Sequence, residues 1–345
     1  MFMTMFLEQR KCASVLPLSD KEKVFLLGQL GFGSKYTIGE QLGRSGAQTT
    51  AFKLKEDSTG KDFVLRIPNN PDNMERWLLS EKGLDDKQDK YLSDYRGNIC
   101  VPRTVKFGTV YSIQEMATGN VFNSDIYDRL PRKTQLKIAK EFAEFLNHSH
   151  RHTIKDGIVI PVVLDGGHDF KLNEQVRNAY KSVMNSNEYK WFESLLNDFE
   201  TRDTADEISV FAFNDFRHSN VLYDESKERL SVIDFGCAHE NSVYMDFVPH
   251  AADAFGMSYQ FLKDVIDSYN DLDTKIKINP KKVALFHLLG IMSELADCNR
   301  DAEKLKQVIY MPHRLQKMYK LCSLFGIDYK LPNPELYNMM SAKEK

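Results

Sequence analysis

The sequence predicts an α+β chain in two lobes. The first is a small antiparallel sheet of five strands with one helix, and the second is larger and mainly helical. Three observations carry this. Between residues 36 and 114, short runs rich in β-branched and aromatic residues alternate with small polar turns. From residue 133 onward, apolar residues recur at helical spacing. Residues 208–238, ISVFAFNDFRHSNVLYDESKERLSVIDFGCA, read as strand, loop, strand, turn, strand. The expected boundaries are an N-terminal helical extension over 1–35, the small lobe over 36–116 and the large lobe over 117–345.

The elements follow in order. Residues 19–30 read as a helix that Ser19 caps and Gly31 ends. Tyr36–Leu42 and Thr49–Leu54 read as strands, joined by the small-residue turn Gly43-Arg44-Ser45-Gly46-Ala47-Gln48. A hairpin turn over 57–62 leads to the strand Phe63–Ile67. A helix, MERWLLSEKGL, comes next, then a charged loop to about residue 98. Ile99–Val105 and Thr109–Gln114 supply the last two strands. In the second part, Leu136, Ile138, Ala139, Phe142, Ala143, Phe145 and Leu146 define one apolar face of a helix over 133–150. His148, His150 and His152 close it, a cation cluster favourable to the helix dipole. His148 and His152 share a face, but no third ligand supports a metal site. Residues 173–200 read as one or two helices, 255–271 and 281–298 as two more, and 301–325 as the last.

The stretch 208–238 carries the chemistry. Val210–Phe213 is an apolar strand, and Asp215–Asn220 is polar and compact. Val221–Tyr223 and Leu230–Ile233 flank a charged turn, and Asp234-Phe235-Gly236 follows at once. Two acids and an amide are thus presented at strand ends by a short hairpin. Such an arrangement suits divalent cations on a nucleotide phosphate beside an oriented hydroxyl. Asn220 and Asp234 offer the hard oxygens that magnesium prefers.

The pattern Asp215-x4-Asn220 followed by Ile233-Asp234-Phe235-Gly236 resembles the catalytic and metal loops of the eukaryotic-like kinase superfamily. In detail it is most similar to the small-molecule branch, the aminoglycoside phosphotransferases and the choline and ethanolamine kinases. Asn214-Asp215 looks like the choline-kinase version of the loop. The resemblance implies a bilobal protein-kinase-like fold, with ATP and Mg2+ as cofactors and γ-phosphoryl transfer to a hydroxyl. It implies that Asp215 orients or deprotonates that hydroxyl, that Asn220 and Asp234 hold magnesium, and that Asp246 braces the catalytic loop. Two departures stand out. Phe213 occupies the place of a family histidine, and Arg217 stands two positions after the base, where it can neutralise phosphate.

Further roles come with the resemblance. Gly43, Ser45, Gly46 and Ala47 form the candidate phosphate loop. Arg66 takes the place of the strand lysine, Lys53 being a solvent-facing alternative. Glu81 is the helix acid that would pair with Arg66, with Glu75 as runner-up. Glu115, Met116 and Ala117 form the hinge, whose backbone would recognise adenine. Glu294 and Asp297 could line a pocket for a cationic acceptor, or could simply be a surface face. Only nine residues separate Gly236 from Asp246, too few for a peptide-docking activation segment. A small hydroxylic acceptor, aminoglycoside- or choline-like, is therefore expected. A protein-directed effector or toxin and a nucleotide-binding pseudokinase are the alternatives.

Composition agrees with a folded enzyme. Hydrophobic residues are 42% and charged residues 28% of the chain, and the net charge is −3, which does not favour a nucleic-acid partner. The five cysteines are scattered without metal-ligand spacing, as in a reducing compartment. No run has the length of a membrane span. MFMTMFLEQRKC lacks a basic leader and a signal-peptide core, so a cytoplasmic location is expected, with export as a bacterial effector left open.

Overall fold

A computed structural model describes residues 19–29, 31–32, 35–42, 49–68, 74–108, 111–151, 155–156, 163–164, 168–169, 174–200, 208–247, 256–298, 301–309 and 311–331, apart from some side chains within helices. They fall into two compact units.

The first unit comprises the described residues up to Asp94, Cys100–Thr118 and Ser231–Gly236. After helix α1 (Asp20–Gln29), strands β1 (Tyr36–Gln41), β2 (Thr49–Glu56) and β3 (Asp62–Pro68) form an antiparallel meander. Helix α2 (Met74–Leu92) follows, then β4 (Thr104–Phe107) and β5 (Ser112–Glu115). The sheet order is β1-β2-β3-β5-β4, with every pairing antiparallel. Alternation places Phe52, Leu54, Phe63, Leu65, Ile67 and Ile113 on one buried face. Lys53 and Arg66 lie on the other face of β2 and β3.

Two expectations for this unit are corrected. The charged stretch after residue 84 is not a loop, because α2 runs on to Leu92. Gln88, Tyr91 and Leu92 are buried at i, i+3, i+4 spacing while Asp86, Asp89 and Lys90 face solvent, so the charges are the wet side of the same helix. The last two strands start later than Ile99 and Thr109. Pro102 cannot donate to a ladder, so β4 begins beyond it at Thr104, and Cys100 instead bridges in parallel to Ser231.

The second unit comprises Tyr95–Ile99, Gly119–Leu230 and the described residues from Cys237 on. It opens with β6 (Asn120–Val121) and the short helix α3 (Ser124–Tyr127), which the Asn123 side chain caps. Helix α4 (Arg132–Arg151) buries the face the sequence predicts. The short strands β7 (Lys155–Asp156), β8 (Val163–Leu164) and β9 (His168–Asp169) precede α5 (Glu174–Val183) and α6 (Ser186–Glu200). Strand β10 (Ile208–Ala212) leads to β11 (Val221–Asp224), β12 (Arg229–Val232) and β13 (His239–Ser242). Then come α7 (Tyr259–Asp271), α8 (Pro280–Cys298), α9 (Ala302–Ile309) and α10 (Pro312–Leu324). The single final helix expected over 301–325 is thus two helices. Pro312 starts a new helix at its first turn rather than continuing the old one.

Rings of Phe122, Tyr127, Phe142, Phe216 and Phe261 meet with centroids 5.0–5.8 Å apart, joining α3, α4, α7 and the loop after β10. Beneath them Asp264 is buried. It accepts from the Tyr127 hydroxyl at 2.6 Å, from Gln260 at 2.9 Å and from both guanidinium nitrogens of Arg132. Burial opposes its charge, but the hydrogen bonds from Arg132, Tyr127 and Gln260 outweigh burial and hold the carboxyl below its ordinary value.

A carboxyl held low stabilises the fold above its unfolded pKa of about 4 and loses that contribution as pH falls through the folded value. Urea titrations from pH 7 downward should show stability falling below about pH 4. Asp264→Asn should be less stable at pH 7 and flatter over the acid range.

Candidate active site

In the second unit the loop after β10 carries the sequence-predicted residues Asp215, Arg217 and Asn220. Strand β10 is buried and is gripped on both edges, by β13 in the register Ser209↔Ser242 to Ala212↔His239 and by β7. Phe213 and Phe216 are buried, and the Phe216 ring stacks on Phe142 at 5.3 Å. These aromatic anchors leave the residues between them facing a polar environment. Asn214 adopts the left-handed conformation, φ 59°, which asparagine tolerates better than other side chains. Its amide reinforces the kink. Asn214 Nδ2 donates to Ala212 O at 3.0 Å and lies 3.2 Å from His239 O, and its Oδ1 accepts from buried Asn241 at 2.8 Å.

Asp215 follows the kink and is 5% exposed. Its Oδ2 accepts from Asn220 Nδ2 at 2.8 Å, and its Oδ1 from Arg217 Nε at 2.6 Å, with Arg217 Nη2 also at 2.6 Å. The three sequence-predicted residues of this loop are therefore brought together. Arg217 is engaged with Asp215 rather than held out toward solvent. Asn220 donates with both bonds from its nitrogen, so its Oδ1 has no partner among the described residues and is open to a cation.

The loop is braced from below. Buried Asp246 accepts from the Asn214 backbone N–H at 3.0 Å through Oδ1, and its Oδ2 lies 3.0 Å from His150 Nε2. His150 Nδ1 is 2.9 Å from the Tyr269 hydroxyl. Burial, and next the Asp246 charge, raise the Tyr269 phenol above its ordinary value, so it stays a donor. His150 Nε2 faces the Asp246 carboxylate as its donor. His150, expected in a cation cluster at the helix C-terminus, does lie in the last turn of α4 but is fully buried, and it stands behind the loop that carries Phe213. The signal was present in the sequence. Phe142, Phe145, Leu146, Ser149 and His150 continue one helical stripe, and Ser149 donates to Phe211 O at 2.7 Å. Nothing in the sequence pointed to Asn241. His152 lies outside the described residues. Among the described residues no three His, Cys, Asp or Glu side chains form a metal-binding group.

In the first unit, Ser231–Gly236 is joined to Cys100 by the bridge to Ser231 and by Val232 N donating to Cys100 O at 2.9 Å. This holds Asp234 at φ 59°, with its side chain half exposed and Oδ1 3.8 Å from Arg66 Nη2. The Asp234 carboxylate has no other partner among the described residues. On the same face of the sheet Lys53 is paired with Asp62 at 2.8 Å. Of the two candidate cations, Arg66 is therefore the one directed to Asp234. Glu115 ends β5, where its N–H donates to Arg103 O at 2.8 Å and its carboxylate accepts from Arg103 N at 3.3 Å. Its N–H is consequently engaged within the unit. Met116 and Ala117 follow in irregular, half-buried backbone. The candidate phosphate loop Gly43, Ser45, Gly46 and Ala47 lies outside the described residues, as do the side chains of Glu75, Glu81, Glu294 and Asp297.

A sequence profile of the phosphotransferase enzyme family matches residues 40–274. The chain belongs to this family and is a phosphotransferase. No curated protein matches it in sequence. Among solved structures it is similar to the GDP complex of an aminoglycoside 2′-phosphotransferase-IIIa, at 16% identity and TM-score 0.54, over 86% of this chain and 96% of the other. It is similar also to a macrolide 2′-phosphotransferase from Brachybacterium faecium, at 13% identity and TM-score 0.52, over 86% and 96%. A type I macrolide 2′-phosphotransferase matches at 14% identity and TM-score 0.52, over 92% and 100%. The fold is thus that of the kinase-like phosphotransferases.

Replacing His150 by Leu should leave the buried Asp246 short of a donor and cost about 1–3 kcal/mol or more of stability in urea unfolding. Asn214→Ala should cost about 1–2 kcal/mol through its left-handed φ, and Asn214→Gly should recover that part.

Proposed function

We propose that this phosphotransferase moves the γ-phosphoryl group of a nucleoside triphosphate, with magnesium, onto a hydroxyl of a small molecule. The observation that carries the reading is Asp215, buried yet held by Asn220 and Arg217 at 2.6–2.8 Å. Asp215 orients the acceptor hydroxyl and takes its proton as the bond to phosphorus forms. Arg217 in turn neutralises charge on the transferring group.

Magnesium fits the donor set. Asn220 Oδ1, in the second unit, and the Asp234 carboxylate, in the first, are hard oxygens without competing close hydrogen bonds among the described residues, and each is proposed as a magnesium ligand. The ion would neutralise the nucleotide phosphates. Arg66, facing Asp234, supplies the strand cation for those phosphates, and Glu81 is the helix acid proposed to pair with it. Gly43, Ser45, Gly46 and Ala47 are proposed to cradle phosphate through backbone N–H groups. Glu115, Met116 and Ala117 are proposed as the adenine hinge, with Met116 and Ala117 providing the free backbone groups.

A small acceptor is favoured over a protein. Residues 239–246 are taken up by β13 and the turn of helix behind it, so between Gly236 and Asp246 no long segment is available to dock a peptide. The solved relatives named above are aminoglycoside and macrolide phosphotransferases, which supports a polyhydroxylated acceptor of that kind, with a choline-like alcohol as the other candidate. Among the described residues no helix is long and apolar enough to cross a membrane.

Purified protein should consume ATP or GTP in a magnesium-dependent way when offered its acceptor from a panel of aminoglycosides, macrolides, choline and ethanolamine. Asp215→Ala and Asp234→Ala should each lower the rate by about 10³ or more, while Asp215→Ala should still bind nucleotide in a thermal-shift assay. Nucleotide binding without turnover on any acceptor, in the wild type, would instead support a pseudokinase. Arg66→Lys should retain more activity than Arg66→Ala, mainly through a smaller rise in KM for nucleotide.

A further inference from the structure

The second unit contains a cavity of about 420 Å³ that none of the residues assigned above to catalysis lines. Ile126, Leu130 and Pro131, from α3 and the link to α4, form an apolar wall. Tyr223 on β11 and Glu225 and Glu228 on the following turn form the polar side.

Tyr223 is the unexpected residue. It is 2% exposed, and its ring is held against Phe122 with centroids 5.7 Å apart. Yet its hydroxyl has no hydrogen-bond partner among the described residues. Tyr223 lines the cavity, so this hydroxyl is available to donate to a molecule bound there. Burial, and next the Glu228 and Glu225 charges, raise this phenol above its ordinary value, so it remains a donor.

The carboxylates differ in engagement. Glu228 is paired with Lys137 at 3.0 Å. Glu225 has no ion pair among the described residues. The cavity's own cation, Arg129, is turned back on the chain, where its Nε donates to Asp125 O at 2.5 Å. The space therefore offers an unused negative charge, an unused donor and an apolar wall at once.

We propose that this cavity binds a small organic amine: an ammonium group on an alicyclic or hydrocarbon frame that also carries an oxygen acceptor. The ammonium pairs with Glu225, the oxygen accepts from the Tyr223 hydroxyl, and the frame lies on Ile126, Leu130 and Pro131. The ion pair is near the surface, so affinity is modest and falls with salt. The inference is independent of the phosphoryl-transfer reading, because it uses none of the residues assigned to it.

The probe is trans-4-aminocyclohexanol, with cyclohexanol as the uncharged control. Binding to the full chain is followed by ligand-observed NMR and calorimetry at low salt. Wild type and Asp215→Asn should bind the amine alike, with a dissociation constant on the order of 1 mM. Tyr223→Phe and Glu225→Gln should each weaken binding about three- to tenfold with unchanged thermal unfolding, and cyclohexanol should bind more weakly than the amine. The proposal is overturned if neither Tyr223→Phe nor Glu225→Gln weakens binding, if only Asp215→Asn does, or if the wild type shows no binding up to about 20 mM, well above the expected constant.

Discussion

One buried carboxylate, Asp246, holds the loop after β10 in place. A charge taken out of water must be met by donors, and here two are found: the backbone N–H of Asn214 and the His150 imidazole. The first fixes the residue beside Asp215. The second ties that fixed point to α4, and through Tyr269 to α7. Helices that are far apart in sequence therefore set the height and direction of a loop of five residues, 213–217. The aromatic cluster of Phe142, Phe216 and Phe261 supplies the apolar half of the same fixation.

Both acids of the stretch sit at or next to a left-handed residue. Asn214 at φ 59° precedes Asp215, and Asp234 is itself at φ 59°. Such conformations cost about 1 kcal/mol or more for a side chain other than glycine, and persist only where surroundings over-determine them. For Asn214 the surroundings are its own amide bonds to β10 and β13. For Asp234 they are the preceding strand, locked to Cys100, and the Arg66 guanidinium. At Asp234 the strained backbone presents a carboxylate whose one partner among the described residues is Arg66, whereas both Asp215 oxygens already accept from Asn220 and Arg217.

Phe213 stands where the resemblance expects a histidine, and an imidazole from α4, His150, lies against Asp246. Phe213 fills the loop position with an apolar ring, buried like its neighbours on β10. His150 lies on α4, eight residues beyond Phe142, at a place where the helix already turns its buried face inward. The carboxylate it serves is the same Asp246 that the resemblance singled out. Phe213 therefore does not by itself argue for loss of activity.

Much was legible from residue order. The five strands of the sheet, the apolar stripe of α4 and the trio Asp215, Asn220 and Asp234 depend on local periodicity and short spacing, which a sequence displays directly. Boundaries were legible only where a stop signal was strong. Charges at 85–90 disguised the wet side of α2 as a loop, and Pro102 and Pro312 were underweighted as limits of a strand and a helix. What the sequence could not display was which polar groups meet at long range. The Asn241–Asn214 bond spans 27 residues, His150–Asp246 spans 96 and Arg132–Asp264 spans 132. Sequence alone pointed to the kind of chemistry, through the resemblance carried by Asp215-x4-Asn220 and Ile233-Asp234-Phe235-Gly236, and the family match over residues 40–274 agrees. Only the tertiary structure decided which oxygens stay open, that Arg217 lies against Asp215, and that Arg66 rather than Lys53 faces Asp234, because hydrogen-bond partners are allotted by packing and not by order along the chain.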